Sequence, residues 1–220
     1  MKKIIYVLAL FVICGIIVGQ NNDNDQAKRT DFRNRLLFGL KAGVNYSHVY
    51  DSKGSDFMAN PKFGAVAGAF LSVPFGKYFG LQPEILFSQK GFVATGTLLN
   101  APYKLTRTAD YIDIPLLFVF KAGEFTSIMA GPQYSYLIRQ KNTFSNVSAS
   151  TAQIQEFEND HVRKNMLGLA AGMDLTLRHI VISARAGWDI QKNNSDDNAS
   201  TPRYKNRWYQ GTIGYRFYNK

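Results

Sequence analysis

The residue types that could form a hydrolytic site occur at two places in the chain. Ser47 and His48 are adjacent and Asp51 follows three residues later, which are the residue types of a nucleophile, a base and an orienting acid. Asp160 and His161 form a second acid–base pair. No G-x-S-x-G nucleophile motif accompanies either group, and a triad is defined by a geometry that neighbouring positions do not supply. We therefore expect no catalytic residue and no enzymatic activity.

Residues that could bind a metal ion are also sparse. The segment Asn193–Asn198 clusters side-chain oxygens that could bind Ca²⁺, but its spacing is not that of an EF-hand. The three histidines of the chain are scattered, and its only cysteine, Cys14, lies in a leader-like segment. We expect no metal site and no cofactor.

Polar and apolar residues alternate strictly between Phe38 and Tyr46. The even positions are all apolar or aromatic, whereas the odd positions are glycine, lysine and asparagine. A period of two indicates a β-strand with two different faces. Proline lacks the N–H that pairs with a neighbouring strand, so we expect a bulge or a missing hydrogen bond at Pro83 and at Pro115. Further segments with this alternation begin near Phe63, Phe79, Tyr111, Ser127, Leu167, Ile180 and Tyr209.

The connections between these segments alternate between long and short. The short connections are Pro74–Lys77, Lys121–Glu124 and Arg178–His179, and the long ones are approximately His48–Asn60, Gly91–Thr106, Gln140–Arg163 and Lys192–Tyr204. Short turns at one end and long loops at the other are typical of a bacterial outer-membrane β-barrel. Each segment has about 9 to 11 patterned residues, the length of a tilted strand that crosses a bilayer. We therefore predict an all-β fold, an eight-stranded antiparallel up-and-down transmembrane β-barrel.

Alternation alone does not say which face of the strands is wet. A soluble lipocalin-like barrel also has eight strands, with its apolar residues inside. Here the polar face is rich in glycine, serine, glutamine and charges of both signs, which suits a narrow lumen. Aromatic residues, including Trp188 and Trp208, gather near strand ends as in interfacial girdles. These features and the loop asymmetry favour the membrane barrel, and a soluble periplasmic ligand carrier is the alternative.

Charged residues on the polar face predict an ion-paired lumen. Charges enclosed in a barrel must be paired, so we expect a network of both signs with Glu84, Asp113 and Arg185 among its central members. A packed polar plug is favoured over an ion path, because eight strands leave little room for water. The predicted network comprises Lys41, Glu84, Asp113, Arg139, Asp174, Arg185, Asp189 and Arg216.

The first residues have the features of a Sec signal peptide. Lys2 and Lys3 precede an uncharged apolar run from Ile4 to Val18, and a polar stretch follows. The run is about 15 residues long, shorter than the roughly 20 that a spanning helix needs. We therefore predict a cleaved signal peptide at 1–19, a flexible periplasmic segment at 20–35 and an outer-membrane β-barrel domain at 36–220.

The chain is basic, with a formal net charge of +10 that falls to +8 when Lys2 and Lys3 are removed (10 − 2). A basic balance can indicate nucleic-acid binding, but export makes an anionic outer-leaflet surface the expected partner. We expect a monomer that contacts outer-membrane lipid and lipopolysaccharide, and proteins of the envelope or of a secretion machine, but no nucleic acid.

Several segments resemble one known family. They are Phe38–Ser47, Leu81–Gly91, Tyr111–Leu117 and Gly131–Leu137, with Gln82-Pro83-Glu84 and Ile114-Pro115-Leu116 as their more specific motifs. Together they resemble the PorT-like outer-membrane β-barrel family of Bacteroidetes, from about Leu37 to Phe217.

This resemblance implies an outer-membrane barrel, and it implies a link to type IX protein secretion through the namesake of the family. We expect a structural or accessory role in the cell envelope, with that link as its more specific form. A surface-loop binding or adhesion protein is the alternative, because long loops such as Gln140–Arg163 often carry function.

Overall fold

Eight β-strands make up the regular structure of the chain. A computed structural model describes residues 35–53, 58–98, 101–145, 163–193 and 203–217. The strands are β1 (Leu37–Lys53), β2 (Met58–Pro74), β3 (Phe79–Leu98), β4 (Ala101–Lys121), β5 (Thr126–Ser145), β6 (Asn165–Leu177), β7 (Ile180–Asp189) and β8 (Arg203–Phe217). Within this part of the chain, no helix is long and apolar enough to cross a membrane.

The strands form a closed barrel in sequence order. Each strand pairs antiparallel with the next, and β1 pairs with β8 to complete the ring. The predicted eight-stranded antiparallel up-and-down barrel is therefore confirmed. We call the end with the turns 75–78, 122–125 and 178–179 the turn end, and the opposite end the loop end.

The alternation of residue types is reproduced as an alternation of environments. On β1, Phe38, Leu40 and Val44 point outward and are exposed, whereas Lys41 and Asn45 are buried in the lumen. Outward aromatic and aliphatic side chains cover the rest of the barrel, and Phe118 and Ile213 are 63% and 66% exposed. A soluble lipocalin-like barrel would bury these side chains, so the alternative of a soluble carrier is wrong.

The strands are longer at the loop end than the alternation predicted. The segments His48–Asn60 and Gly91–Thr106 were expected to be loops, but β1 continues to Lys53, β3 runs to Leu98 and β4 begins at Ala101. The reason is that the residues on the inward face change from polar to apolar, although the strands themselves continue. Inward positions become apolar near the loop end, where buried Val49, Phe92, Ala94, Leu105 and Tyr204 pack together in what we call the upper core.

The register of the sheet shifts at three places, all in the loop-end half of the barrel. The shifts lie between Tyr50 and Lys53, between Pro61 and Val66, and between Asp110 and Tyr111. No bulge occurs at Pro83 or Pro115, where the register continues unchanged, but the paired residues skip Pro83 between β2 and β3 and Pro115 between β3 and β4. Such gaps agree with the second form of the prediction, a hydrogen bond that proline cannot donate. The third shift places two consecutive residues of β5, Ile138 and Arg139, on the outer surface.

Candidate functional site: the barrel lumen and its loop end

A four-residue ion cluster fills the lumen nearer the turn end. Glu84 on β3 accepts from Lys41 Nζ at 2.5 Å and from Arg185 Nη1 at 2.6 Å, both through Oε2. Its other oxygen accepts from Gln82 Nε2 at 2.8 Å. Arg185 Nη2 also lies 3.6 Å from Asp174 Oδ1. The cluster combines two cations and two anions, so burial leaves no net charge among these groups. We call it the lower ion cluster.

A second cluster centres on Lys90 and lies closer to the loop end. Lys90 Nζ contacts both oxygens of Asp113, at 3.1 and 3.0 Å. The ammonium group also lies 3.8 Å from the centre of the Trp208 ring and 5.0 Å from that of Tyr111. A cation over aromatic faces is stabilised by the ring quadrupoles, most strongly when it is desolvated. We call this group the upper ion cluster.

Neutral polar side chains occupy the space between the two ion clusters. Asn45 Nδ2 donates to Ser88 Oγ at 2.8 Å, and Gln210 Nε2 donates to Asn45 Oδ1 at 3.0 Å. Three strands are joined by these bonds across the narrow lumen. Such side chains satisfy one another within the barrel, as buried polar groups must, and their packing fills the lumen at this level.

The upper core closes the lumen at the loop end. Phe92 and Tyr204 pack edge to face with their ring centres 5.2 Å apart. Arg107 lies beside both rings, at 5.7 and 5.9 Å, and donates from Nη1 to Tyr204 Oη at 2.9 Å. Apolar packing thus follows the polar clusters along the barrel axis.

Most of the predicted lumen residues lie inside the barrel, but they form separate groups. Lys41, Glu84, Asp174 and Arg185 meet in the lower ion cluster, whereas Asp113 belongs to the upper one. Asp189 is buried near the loop end, where Asn206 Nδ2 donates to it at 2.7 Å. Arg216 is half-buried near the turn end, and its backbone N–H donates to the His179 carbonyl.

Arg139 was predicted to face the lumen, and that prediction is wrong. Its side chain is 74% exposed on the outer surface. The physical reason is the register shift between Asp110 and Tyr111, which adds one residue to β5 and reverses its facing beyond Leu137. There Arg139 donates to Asp110 Oδ2 from Nε at 3.0 Å and from Nη2 at 2.7 Å.

Asp110 is the centre of an outward polar row beyond the last outward aromatic side chains of β3 and β5. Gln89 Nε2 donates to Asp110 Oδ1 at 2.9 Å from the neighbouring strand. The hydrogen bonds from Gln89 and Arg139, together with the positive charge of Arg139, favour the ionised form of the Asp110 carboxylate. Asp110 is therefore an anion at neutral pH. We call Lys62, Gln89, Asp110 and Arg139 the outer row.

Ser47 and His48 do not form a catalytic pair in this arrangement. Consecutive strand residues face opposite sides of a sheet: Ser47 is buried in the lumen, and His48 is half-buried on the other face. The Ser47 hydroxyl is held by the backbone of Gly91, as donor and as acceptor, at 2.8 Å in each case.

Other predictions fall partly or wholly outside the described residues. The signal peptide at 1–19, almost all of the segment 20–35, Cys14, Asp160, His161 and the oxygen-rich residues after Asn193 lie there. Within the described ranges, no group of three or more His, Cys, Asp or Glu could hold a metal ion.

Sequence reasoning missed several residues that complete the lumen. The parity of Lys90 on β3 predicts its inward position correctly, but Lys90 was not named as a member of the ion network. Trp208 was assigned to an outward girdle but is buried against Lys90. Its parity with Gln210 and Thr212, which are both buried, is the signal that identifies it as inward.

Solved bacterial barrels resemble this chain at low sequence identity. Ail, the attachment invasion locus protein of Yersinia pestis, is 13% identical, with a TM-score of 0.46 over 82% of this chain and 98% of Ail. OprG from Pseudomonas aeruginosa is 14% identical, with a TM-score of 0.47 over 84% and 98%. Neisserial surface protein A is 12% identical, with a TM-score of 0.46 over 82% and 97%.

No curated protein matches the sequence. The model of the family described as outer membrane protein beta-barrel domain matches residues 20–193, which is most of the chain. That match agrees with the closed barrel, its outward apolar surface and its polar lumen. The chain therefore belongs to the outer membrane protein β-barrel domain family and is an outer-membrane protein.

Proposed function

We propose that the protein is a monomeric barrel without a continuous pore, with a structural or accessory role in the cell envelope. The observation that carries this proposal is the filling of the lumen. Glu84, Lys90 and Arg185 are all buried and ion-paired across it, and the upper core follows at the loop end. An eight-stranded barrel has an interior just wide enough for side chains. We infer neither ion conduction nor a catalytic role.

Conductance in planar bilayers tests the absence of a pore. The purified barrel is expected to give no steady single-channel steps, and a porin reconstituted in parallel serves as the positive control. Regular open-channel steps at moderate voltage would contradict the proposal.

The more specific form of this role is an accessory function in type IX secretion, in a bacterium of the Bacteroidetes. Its support is the resemblance of the Leu81–Gly91 and Tyr111–Leu117 segments to the PorT-like family. Deletion of the gene should then reduce the amounts of proteins exported by that pathway, and a plasmid copy should restore them. If the deletion strain secretes normally but its cells show altered sensitivity to detergent, the secretion role is excluded and the structural role is supported.

Export by a cleaved signal peptide is part of the same proposal. Residues 1–19 have the charge and apolar run of a Sec leader. The intact mass of protein purified from the outer membrane should correspond to a chain that begins near Gln20. A mass that includes Met1–Gly19 would contradict cleavage.

A second candidate function is binding or adhesion at the cell surface. In this family architecture the loop end faces the outside of the cell and the turn end faces the periplasm. β3, β4 and β5 have 20, 21 and 20 residues, against 13 and 10 in β6 and β7. The sheet therefore extends outward on one side. A variant without residues 95–105 should lose cell attachment while its barrel still shifts on heating in gels; unchanged attachment would contradict this role.

A further inference from the structure

At the loop end of the barrel, the exposed charged side chains among the described residues are all positive. Six cationic side chains are exposed there: Lys104, Arg139, Lys141, Lys164, Lys192 and Arg207. Among side chains whose burial is described, the only exposed acid is Glu124, which lies in a turn at the opposite end. The described part of the loop end thus presents cations without an exposed acid among them, and such a surface suits an anionic partner.

Among these exposed cations, Arg139 is held in position by hydrogen bonds to a buried acid. Two of its nitrogens donate to Asp110 Oδ2, and Gln89 holds the other oxygen of the same carboxylate. Asp110 is 5% exposed whereas Arg139 is 74% exposed. The carboxylate therefore fixes one edge of the guanidinium from beneath, and the rest of the arginine side chain is accessible from outside the barrel. A guanidinium fixed in this way suits the oxygens of a phosphate group.

Lys62 supplies a second positive charge to the same row. Lys62 lies on β2, which pairs with β3 on the side away from β4, and it is half-buried in the segment where the register shifts between Pro61 and Val66. Lys62 and Arg139 together exceed the single negative charge of Asp110. The outer row thus carries net positive charge at neutral pH across four neighbouring strands.

Apolar side chains directly adjoin this row on the membrane side. Phe63, next to Lys62, is 67% exposed, and Ile138, next to Arg139, is also exposed. Phe87 lies two residues from Gln89 on the same outward face of β3. A cation beside exposed apolar surface matches an amphiphile that has a phosphate attached to acyl chains, and matches a soluble anion less well.

We propose that the outer row is a binding site for a phosphorylated glycolipid of the outer leaflet, in which Arg139 and Lys62 contact the phosphate and Phe63 and Ile138 contact its acyl chains. Asp110 and Gln89 are positioning residues that orient Arg139. The inference rests on the proposed role in the outer membrane and identifies a lipid partner of that role.

Native mass spectrometry of the purified full-length mature protein in an uncharged detergent tests the site. The probe is lipid A that carries its phosphates, titrated beside dephosphorylated lipid A, phosphatidylglycerol and inorganic phosphate. Phosphorylated lipid A should bind at a defined stoichiometry and about tenfold or more tighter than its dephosphorylated form, since hydrogen bonds to charged groups are the stronger ones. Equal binding of the two forms, or competition by millimolar inorganic phosphate, would overturn the glycolipid assignment.

Substitutions distinguish a defined binding site from a surface that attracts anions only through its overall positive charge. Arg139→Gln should weaken the affinity for lipid A about tenfold or more, whereas Lys77→Gln, which removes a cation in an exposed turn at the opposite end, should leave it unchanged. Asp110→Asn should also weaken binding, because it releases Arg139. Stronger binding by Asp110→Asn, the result of losing an acid from a diffusely basic surface, would overturn the site.

Each variant is also run in gels with and without heating. A retained heat shift shows that the membrane barrel is intact, so failure of lipid binding in such a protein counts against the site alone. Loss of the shift in the parent protein would instead count against the proposed role.

Discussion

Individual side chains in this barrel act mainly by neutralising one another. Glu84 is in contact with Lys41 and Arg185 at once, and Lys90 is enclosed by Asp113 and two aromatic rings. Burial of any one of these charges alone would be costly, because the lumen offers little water to solvate it. The stability of the barrel therefore depends on these ion pairs.

Replacement of Glu84 by leucine should destabilise the barrel strongly. The change leaves Lys41 and Arg185 without their shared carboxylate, and breaking a buried ion pair in this way costs about 3 to 5 kcal/mol. Unfolding by guanidinium in detergent micelles measures the change. Glu124→Leu, in an exposed turn, is the control and should have little effect. An unchanged midpoint for Glu84→Leu would contradict the lower ion cluster.

Replacement of Gly187 by alanine should displace Trp208 from Lys90. A Cβ at Gly187 would lie 2.3 Å from Trp208 Cζ2, and such overpacking costs about 1 to 3 kcal/mol. The chain has two tryptophans, so a Trp188→Phe background isolates the fluorescence of Trp208. Its emission should shift in Gly187→Ala. Gly211→Ala, where an added Cβ meets nothing within 4 Å, should give the parent spectrum, and identical spectra for both variants would argue against the packing.

The alternation of side chains along each strand made the inward charges predictable, but one inserted residue in β5 made the prediction for Arg139 wrong. Lys41, Glu84, Asp174 and Arg185 were correctly placed, because side chains in a regular strand alternate without exception. Arg139 was misplaced because a bulge depends on pairing with the neighbouring strand, and single-strand parity contains no information about that pairing. The pairing partners within the lumen were also not predictable, since they come from strands far apart in sequence.

At the scale of elements, the strands have two regimes along their length. Between the girdles they carry apolar residues outward and polar ones inward, and near the loop end the inward residues become apolar. The pattern of apolar outward residues and polar inward residues therefore ends before the strands do. For this reason the sequence predicts loops where β1, β3 and β4 are extended. Only the arrangement of the sheet shows that the inward face stays the same.

Introduction of arginine at Ala171 should place a charge on the lipid-facing surface of β6. Ala171 pairs with Ala130 and Ala186 in mid-barrel, and a cation at such a depth costs about 2 to 4 kcal/mol. Folding into bilayers, followed by urea titration, measures the cost. Ala171→Leu should be nearly neutral. If Ala171→Arg is equally stable, the lipid-facing and lumen-facing sides have been exchanged.

Truncation of Phe92 to alanine should loosen the upper core without opening the membrane barrel. Phe92 packs against Tyr204, Val49 and Leu105 beyond the ion clusters. Hydrogen exchange should accelerate in the loop-end parts of β3 and β4 and stay slow in their membrane parts, and the heat shift in gels should persist. Uniform acceleration through all strands would show that the upper core and the membrane barrel are one cooperative unit.

At the scale of the whole molecule, closure and orientation follow from the complete set of strands. Eight alternating segments with short and long connections were sufficient to predict the closed barrel, because an open sheet edge is not tolerated in hydrocarbon. The structure adds the reason for a filled lumen, namely two ion clusters joined by neutral polar groups and closed by the upper core.

The most direct test of this account is the gel mobility of the protein extracted from outer membranes, with and without boiling. A closed barrel with an apolar exterior should remain folded in cold detergent and migrate differently after heating. We predict a clear shift, with the protein in the outer-membrane fraction. A protein that fractionates with soluble periplasmic proteins and shows the same mobility under both conditions would contradict the membrane barrel.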